Sequence, residues 1–481
     1  MIKKIIFSIS ALLFGTFAFA QLNPAPYGPQ YVGPAPTATL QPALPGAATG
    51  ANTGLSVQNG NTNKVRVRQA GTSQSVYTFQ NDGTGSGGNY AKVMQTGAVQ
   101  SASGLENAAE VLQSGSDNRS QTKQEGDYNS AVTRQGQNNL ASSGNKAGIR
   151  QGTGQQAENN VALVDQDGDL NDASIQQTYD NSEAWTVQNG SGNQSMVNQD
   201  AGPEDTAGHY AYTNQQGNDN QNAIMQSGNG QSNWAWTYQD GDNNLSKQVQ
   251  DQGDFVGSGF VNYAMVDQGV DQVGLISDIK TDLEGVDSRI NTSPLVANTT
   301  NSVALQKQTG GDLDAETHQF GNANHSEQYQ SGYGNDAYML QNSDGTGNYG
   351  RQDQIGTQST AGLAQVGSGN KAWQRQADDN NEVMSTQVGN GNLLNTFQDG
   401  NGNRGMSSQY GTDNAALLVQ RGGHSYSIEQ NGTGNQANVL QLGPNGNFNT
   451  DGIDCGFLDP NNPTMNYPNL DFNLNDICSG C

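Results

Sequence analysis

The sequence predicts an all-β solenoid, a rod of stacked two-strand coils, each of about 22 residues and built from two 11-residue half-repeats. Three observations predict it. Glutamine recurs at the seventh place of a repeated phrase thirty times between Gln58 and Gln441, mostly at intervals of eleven. Within each phrase side-chain character alternates with a period of two, as in a strand and unlike a helix. Glycine commonly stands two places after the glutamine, where a tight turn needs positive φ. Repetition this dense implies a stacked architecture, because each unit can bury its face only against its neighbours.

The phrase is clearest near the end of the repeats, in Asn403-x-Gly405-x3-Gln409-x-Gly411 and Asn414-x-Ala416-x3-Gln420-x-Gly422. Places one, three, five and seven share a face and carry Asn, a small residue, usually Val, Ile, Thr or Leu, and Gln. Coils stacked at the inter-strand spacing of roughly 4.8 Å would set each amide over its equivalent, and fifteen coils would span roughly 70 Å. Stacked amides donate and accept along the axis, which satisfies groups that are costly to bury alone. The expected inward ladder therefore contains Gln58, Gln69, Gln80, Gln95, Gln113, Gln124, Gln166, Gln177, Gln188, Gln199, Gln226 and Gln239 in its first part. Its second part contains Gln308, Gln319, Gln330, Gln341, Gln365, Gln376, Gln387, Gln398, Gln409, Gln420 and Gln441, with Asn370, Asn392, Asn403, Asn414 and Asn435 at place one. Low hydrophobic content and 63 glycines alone would suggest disorder, but disorder needs no fixed offset between Asn, Gln and Gly.

Along the chain, residues 1–20 read as a secretory signal peptide: Lys3 and Lys4, an apolar run, and Ala18-Phe19-Ala20 as the cleavage signature. Residues 21–50 are rich in Pro, Gly and Ala and read as a flexible, PPII-like leader. Repeats fill 51–269 and 301–443, with an interruption over 270–300 that permits a short amphipathic helix at 273–290. After the stretch at 273–290, Ala297 stands where a glutamine would end a degraded copy. Counting it keeps the alternation between sheets intact. Residues 444–481 leave the period and hold Cys455, Cys478 and Cys481. In an exported protein, Cys455 pairs with Cys478 or Cys481, or the odd thiol pairs between chains. This tail could equally cap the last coil's open edge.

Places two, four and six point outward. Before the interruption one set of strands displays Tyr77, Trp185, Tyr210, Tyr212, Trp234, Trp236 and Tyr238, while the other displays Lys64, Arg66, Arg68, Arg119, Lys123, Lys146 and Arg150. With Ala297 counted, Val303, Leu305 and Trp373 join the aromatic set and Tyr338 falls opposite. One sheet is thus expected to present an aromatic strip for lateral packing or adhesion, and the other a solvated face.

Without the signal, 18 basic and 45 acidic residues give a formal charge of −27, which argues against a nucleic-acid partner. The four histidines fall on repeat positions, His209 and His424 at place one, His318 and His325 outward, and form no ligand cluster. The acidic stretch at 165–172 lacks the full calcium-loop pattern. No catalytic motif stands out, so neither an enzyme nor a cofactor is expected. After position 20 no stretch is long and apolar enough to span a bilayer, so a released product is expected.

Ser359-x5-Gln365-x-Gly367-x-Gly369-Asn370-x-Ala372-x3-Gln376 matches the curlin repeat, and most of 52–443 resembles that family with Asn usually replacing the first Ser. The resemblance implies an amyloid-like solenoid that polymerises end to end into extracellular curli-type fibres of a biofilm matrix, with roles in adhesion. It also implies a Gram-negative source, a nucleator, and export through a dedicated outer-membrane pore. Departures are the many more copies, the interruption and the cysteine-bearing tail, which leave a bulk subunit, a nucleator and a cap all open. A monomeric surface- or ice-binding solenoid is the competing reading. It needs a flat regular outward ladder, and the outward places here are mixed.

Overall fold

The computed structural model describes residues 37–443, apart from 84–86, 97–104, 139–141, 153–156, 203–207, 229–231, 253–260, 270–298 and 344. The expected signal peptide, the helix at 273–290, Ala297, Cys455 and Cys478 lie outside the described residues.

Successive strands of the chain alternate between two sheets, fifteen along the path of each, and every pairing is parallel. Sheet A begins with Thr53–Asn59 and ends with Ser425–Thr433, whereas sheet B begins with Lys64–Ala70 and ends with Gln436–Leu442. Two consecutive strands make one coil, so the chain is a β-solenoid of fifteen coils. No helix occurs among the described residues. Register follows the repeat: Gln58 lies beside Gln80, Gln387 beside Gln409, and Gln398 beside Gln420. A slip of one residue would turn every inward amide to solvent, so the pattern pins the pairing.

Corners explain the place-nine glycine. Gly389 has φ +114°, and a Cβ built there would stand 2.1 Å from the carbonyl oxygen of Gly411 in the next coil. At this corner a residue without a side chain lets the chain nest at the strand spacing. Inside, small residues of one sheet meet large ones of the other. A Cβ on Gly350 would stand 2.6 Å from Met339 Sδ and 2.7 Å from Leu363 Cδ2. The core thus interdigitates at place three against place five, with Ala147, Ile149, Ala162, Val164 and their neighbours buried along its first half.

The interruption corrects one expectation. Asn262–Gln268 belongs to sheet A, and the next long strand, Val303–Gly311, belongs to sheet B, where it pairs with Leu245–Asp251. Gln268 and Gln308 are therefore consecutive copies, whereas the count through Ala297 placed one between them. Thr299 resumes the corner place, its carbonyl accepting from Asn244 Nδ2 at 2.8 Å as the carbonyl of Gly241 accepts from Asn220 Nδ2 at 2.7 Å one coil earlier. Because Gln250 pairs with Gln308 and Gln268 with Gln319, the alternation is not reset. Val303, Leu305 and Trp373 lie on sheet B, and Tyr338 joins the aromatics on sheet A.

Residues 37–41, within the stretch read as a flexible leader, are tied to the outer face of sheet A. Ala38 N donates to Ser130 Oγ at 2.9 Å, Thr39 N to Glu110 Oε2 at 2.8 Å and Gln41 N to Ser75 Oγ at 2.8 Å. Ala38 packs in a cluster with Val132, Leu163 and Trp185. The segment thus crosses three strands back toward the first coil.

Candidate assembly interface

Each place-seven glutamine points inward and bonds to the next. In sheet A the column runs Gln58, Gln80, Gln113, Gln135, Gln166, Gln188, Gln215, Gln239, Gln268, Gln319, Gln341, Gln365, Gln387, Gln409, Gln430, each Nε2 donating to the following Oε1 at 2.8–2.9 Å. Sheet B carries the matching column from Gln69 to Gln441 at 2.9–3.0 Å. The second amide hydrogen crosses to the other sheet, as from Gln387 Nε2 to Lys371 O at 3.0 Å and from Gln409 Nε2 to Leu393 O at 2.9 Å. Place one runs the other way. Asn392 Nδ2 donates back to Asn370 Oδ1 and Asn414 Nδ2 to Asn392 Oδ1, each at 3.0 Å, while Asn403 and Asn435 bond to Asn381 and Asn414 at 3.0 and 2.9 Å. Asn Oδ1 also accepts the backbone N–H of the following coil, as Asn370 does from Asn392 N at 3.1 Å.

A second column went unread in the sequence. Gln248, Gln306, Gln328, Gln352 and Gln374 hold place five of sheet B and link Nε2 to Oε1 at 2.8–3.0 Å. Facing residues complete them: Thr317 Oγ1 donates to Gln328 Oε1 at 2.8 Å, and Gln374 Nε2 to Ser385 Oγ at 2.7 Å. Its signal was present as Gln-x-Gln in five successive copies of one sheet, ending at Gln250, Gln308, Gln330, Gln354 and Gln376.

The aromatic set occupies one outward face, but not as a free strip. Trp185, Tyr210, Tyr212, Trp234, Trp236 and Tyr238 pack together on sheet A. Ring centroids lie 6.1 Å apart for Trp185–Tyr210, 5.9 Å for Tyr210–Trp234 and 5.4 Å for Tyr212–Tyr238. Trp236 is 0 % exposed, and Trp185, Tyr210 and Tyr238 are buried too. Tyr77 is half-buried at the start of the same face. Among the described residues the rings are thus largely buried: they pack on one another, and Ala38 covers part of the face at Trp185. Trp373 stands apart on sheet B, edge-on to Phe397 at 5.2 Å, with its Nε1 donating to Asp353 Oδ2 at 2.8 Å. Sheet B's basic residues cluster over its first four strands, where Lys123 pairs with Glu125 and Lys146 with Asp172.

Several titratable groups on the outer faces are shifted. His318 is buried, with Nδ1 3.6 Å from Asp267 Oδ2 and Nε2 3.9 Å from Glu316 Oε2. Burial opposes its charge, but Asp267 and then Glu316 outweigh it and push the imidazole up to about 9. Burial, reinforced by Asp312 and Glu316, pushes Asp336 up to about 7. Burial likewise raises Asp172 to about 6 against the pull of Lys146. His209 replaces the place-one amide, its Nδ1 accepting from Asn233 N at 3.2 Å. No group of three or more candidate metal ligands occurs among the described residues.

The first and last coils differ from the rest. Gln58 is exposed and Gln69 half-buried, and their Oε1 atoms accept from no coil among the described residues. At the other end Gln430 and Gln441 keep only bonds to backbone carbonyls, Ala415 O at 2.9 Å and Ser425 O at 3.5 Å, for their Nε2 atoms. Acceptors thus end one face of the rod and donors the other. Leu55 and Val67 on the first coil, and Tyr426 and Leu440 on the last, are among the exposed large apolar side chains. No family model matches the sequence, and no curated protein matches it either.

Proposed function

We propose that the chain is a structural fibre subunit, secreted and joined end to end through its two terminal coils into an extracellular curli-like functional amyloid. The reading is carried by one observation: among the described residues no strand covers either terminal coil, and the two ends are chemically unlike. The Gln58 and Gln69 oxygens face one way, and the Gln430 and Gln441 amide hydrogens face the other. Parallel strands at each end also leave backbone N–H and C=O groups without a neighbouring strand, a template for another copy. A head-to-tail contact of unlike surfaces propagates without closing. The resemblance to curlins supplies the setting: a biofilm matrix and surface adhesion, with a nucleator and an outer-membrane secretion pore as partners. The role is structural rather than catalytic.

Refolded mature chain should bind thioflavin and form fibres under the electron microscope, with a diffraction spacing of about 4.8 Å along the axis. Stable monomers at micromolar concentration over days, with solenoid circular dichroism, would overturn the reading in favour of a monomeric surface-binding rod.

A further inference from the structure

We propose that Tyr426 is the knob that sets the joint between successive copies, seating in the gap left by Gly54 of the following copy. The inference rests on the end-to-end reading above and names the residues that make that contact specific. Place three has little room inside the rod. A Cβ on Gly405 would stand 3.0 Å from Leu418 Cδ2, 3.1 Å from Gln398 Nε2 and 3.2 Å from Gln420 Oε1. From Gly54 to Gly405 every strand along sheet A carries Gly, Ala or Val there. Tyr426, in register with Gly405 on the last strand, is the exception. A phenol ring cannot enter a space fitted to a methyl group. On the last coil Tyr426 is accordingly 41 % exposed.

A following copy that continues sheet A in the same register, Gln over Gln, places Gly54 directly beyond Tyr426. A Cβ on Gly54 would meet nothing nearer than Val76 O at 3.6 Å, so the position is a vacancy without crowding. Place three of sheet A faces place five of sheet B, which on the first coil is Val67, itself 39 % exposed. The ring would therefore fill the gap at Gly54 and cover Val67, with glycine on both sides of it along the column. Alanine at 426 would leave the joint with a hole, and leucine at 54 would collide with the ring. Burying an aromatic ring against an aliphatic partner is a strong determinant of such a contact.

The test is seeded elongation of refolded mature chain on sheared wild-type fibres, followed by thioflavin fluorescence. Tyr426→Phe should elongate at nearly the wild-type rate. Tyr426→Ala and Gly54→Leu should each slow it tenfold or more. Combining Tyr426→Ala with Gly54→Leu should recover part of the loss, because leucine then fills the gap that the ring has vacated. Circular dichroism and protease resistance of the monomers check that each variant folds. Wild-type elongation by Tyr426→Ala or by Gly54→Leu overturns the knob. Failure of the wild-type chain itself to form fibres is a different result, and it removes the end-to-end reading with the knob.

Discussion

Replacing Gln365 by leucine tests the amide column at its most enclosed. Gln365 is fully buried; its Oε1 accepts from Gln341 Nε2 at 2.8 Å, and its Nε2 donates to Gln387 Oε1 at 2.8 Å and to Tyr349 O at 2.9 Å. Leucine keeps the volume closely enough that no large cavity opens, so the cost is polar. Gln341 Nε2 retains His325 O at 2.9 Å and Asn348 O at 3.3 Å, whereas Gln387 Oε1 loses its donor inside the core. Net hydrogen bonds are worth about 1 kcal/mol each, and an orphaned buried acceptor costs about 1–3 kcal/mol. The variant should therefore lose about 2–4 kcal/mol, offset in part by leucine's better transfer into a core. The same substitution at Gln58 breaks one bond, to Gln80 Oε1 at 2.8 Å, with no accepted bond and no backbone bond lost beside it, and should cost about 1–3 kcal/mol, less than at Gln365. Hydrogen exchange of the monomer, read on peptides from 336–399, localises the effect in a rod that need not unfold all at once. Equal protection in Gln365→Leu and wild type, or a loss no larger than in Gln58→Leu, would refute the reasoning.

Three further outcomes follow. Gly389→Ala should destabilise its coil strongly, since its Cβ would overlap Gly411 O at 2.1 Å, whereas Gly434→Ala, with nothing within 4 Å, should cost only the positive-φ strain of about 1–2 kcal/mol. Denaturant midpoints of the two variants separate these terms. Stability should fall as pH rises from 5 to 9. The folded pKa values of Asp172 (about 6), Asp336 (about 7) and His318 (about 9) all lie above their ordinary values, so the folded chain holds more protons. The two carboxyl contributions are full below about 4 and vanish as pH passes 6–7, and that of His318 is full below about 6.5 and vanishes through about 9. Urea midpoints taken at four pH values check the slope, and Asp336→Asn should flatten its part between 5 and 7. Ala38→Asp should detach residues 37–41 from the Leu163–Trp185 cluster, seen as faster proteolysis near the N-terminus and red-shifted tryptophan emission.

The thirty place-seven glutamines were legible because their signal is local: an offset within eleven residues and a period of two. Gln58 to Gln441 all occupy the inward columns that this spacing requires. What escaped depends on relations the period does not encode. Whether a copy stands between Gln268 and Gln308 cannot be read from the length of the interval, so the sheet assignment of Val303, Leu305 and Trp373 turned on counting Ala297 as a copy, which the pairing of Gln250 with Gln308 rules out. The Gln-x-Gln column was visible letter by letter. Yet Gln248 or Gln352 looks like an ordinary variant of place five until five of them prove to be neighbours on one sheet. Outward aromatics such as Trp236 imply an exposed strip only if nothing covers them, and burial by adjacent coils and by residues 37–41 is a property of the folded face.

Why amides, where leucine would bury more favourably? A column of leucines has no direction, and it is nearly indifferent to a rung that slides or to a neighbour that arrives inverted. An amide column is sensitive to both. Each Nε2 must find an Oε1 ahead of it, Asn Nδ2 groups such as those of Asn392 and Asn414 an Oδ1 behind them, and a displaced coil strands buried donors and acceptors at about 1–3 kcal/mol apiece. With two columns pointing the same way, inverting a whole copy would set donors against donors at both glutamine positions of the joint. In the proposed fibre, only a correctly oriented end would give the terminal amides the bonds that the inner coils make. The choice that weakens the core as a hydrophobic store thereby fixes register inside the molecule and, in that fibre, would set direction between molecules with the same side chains.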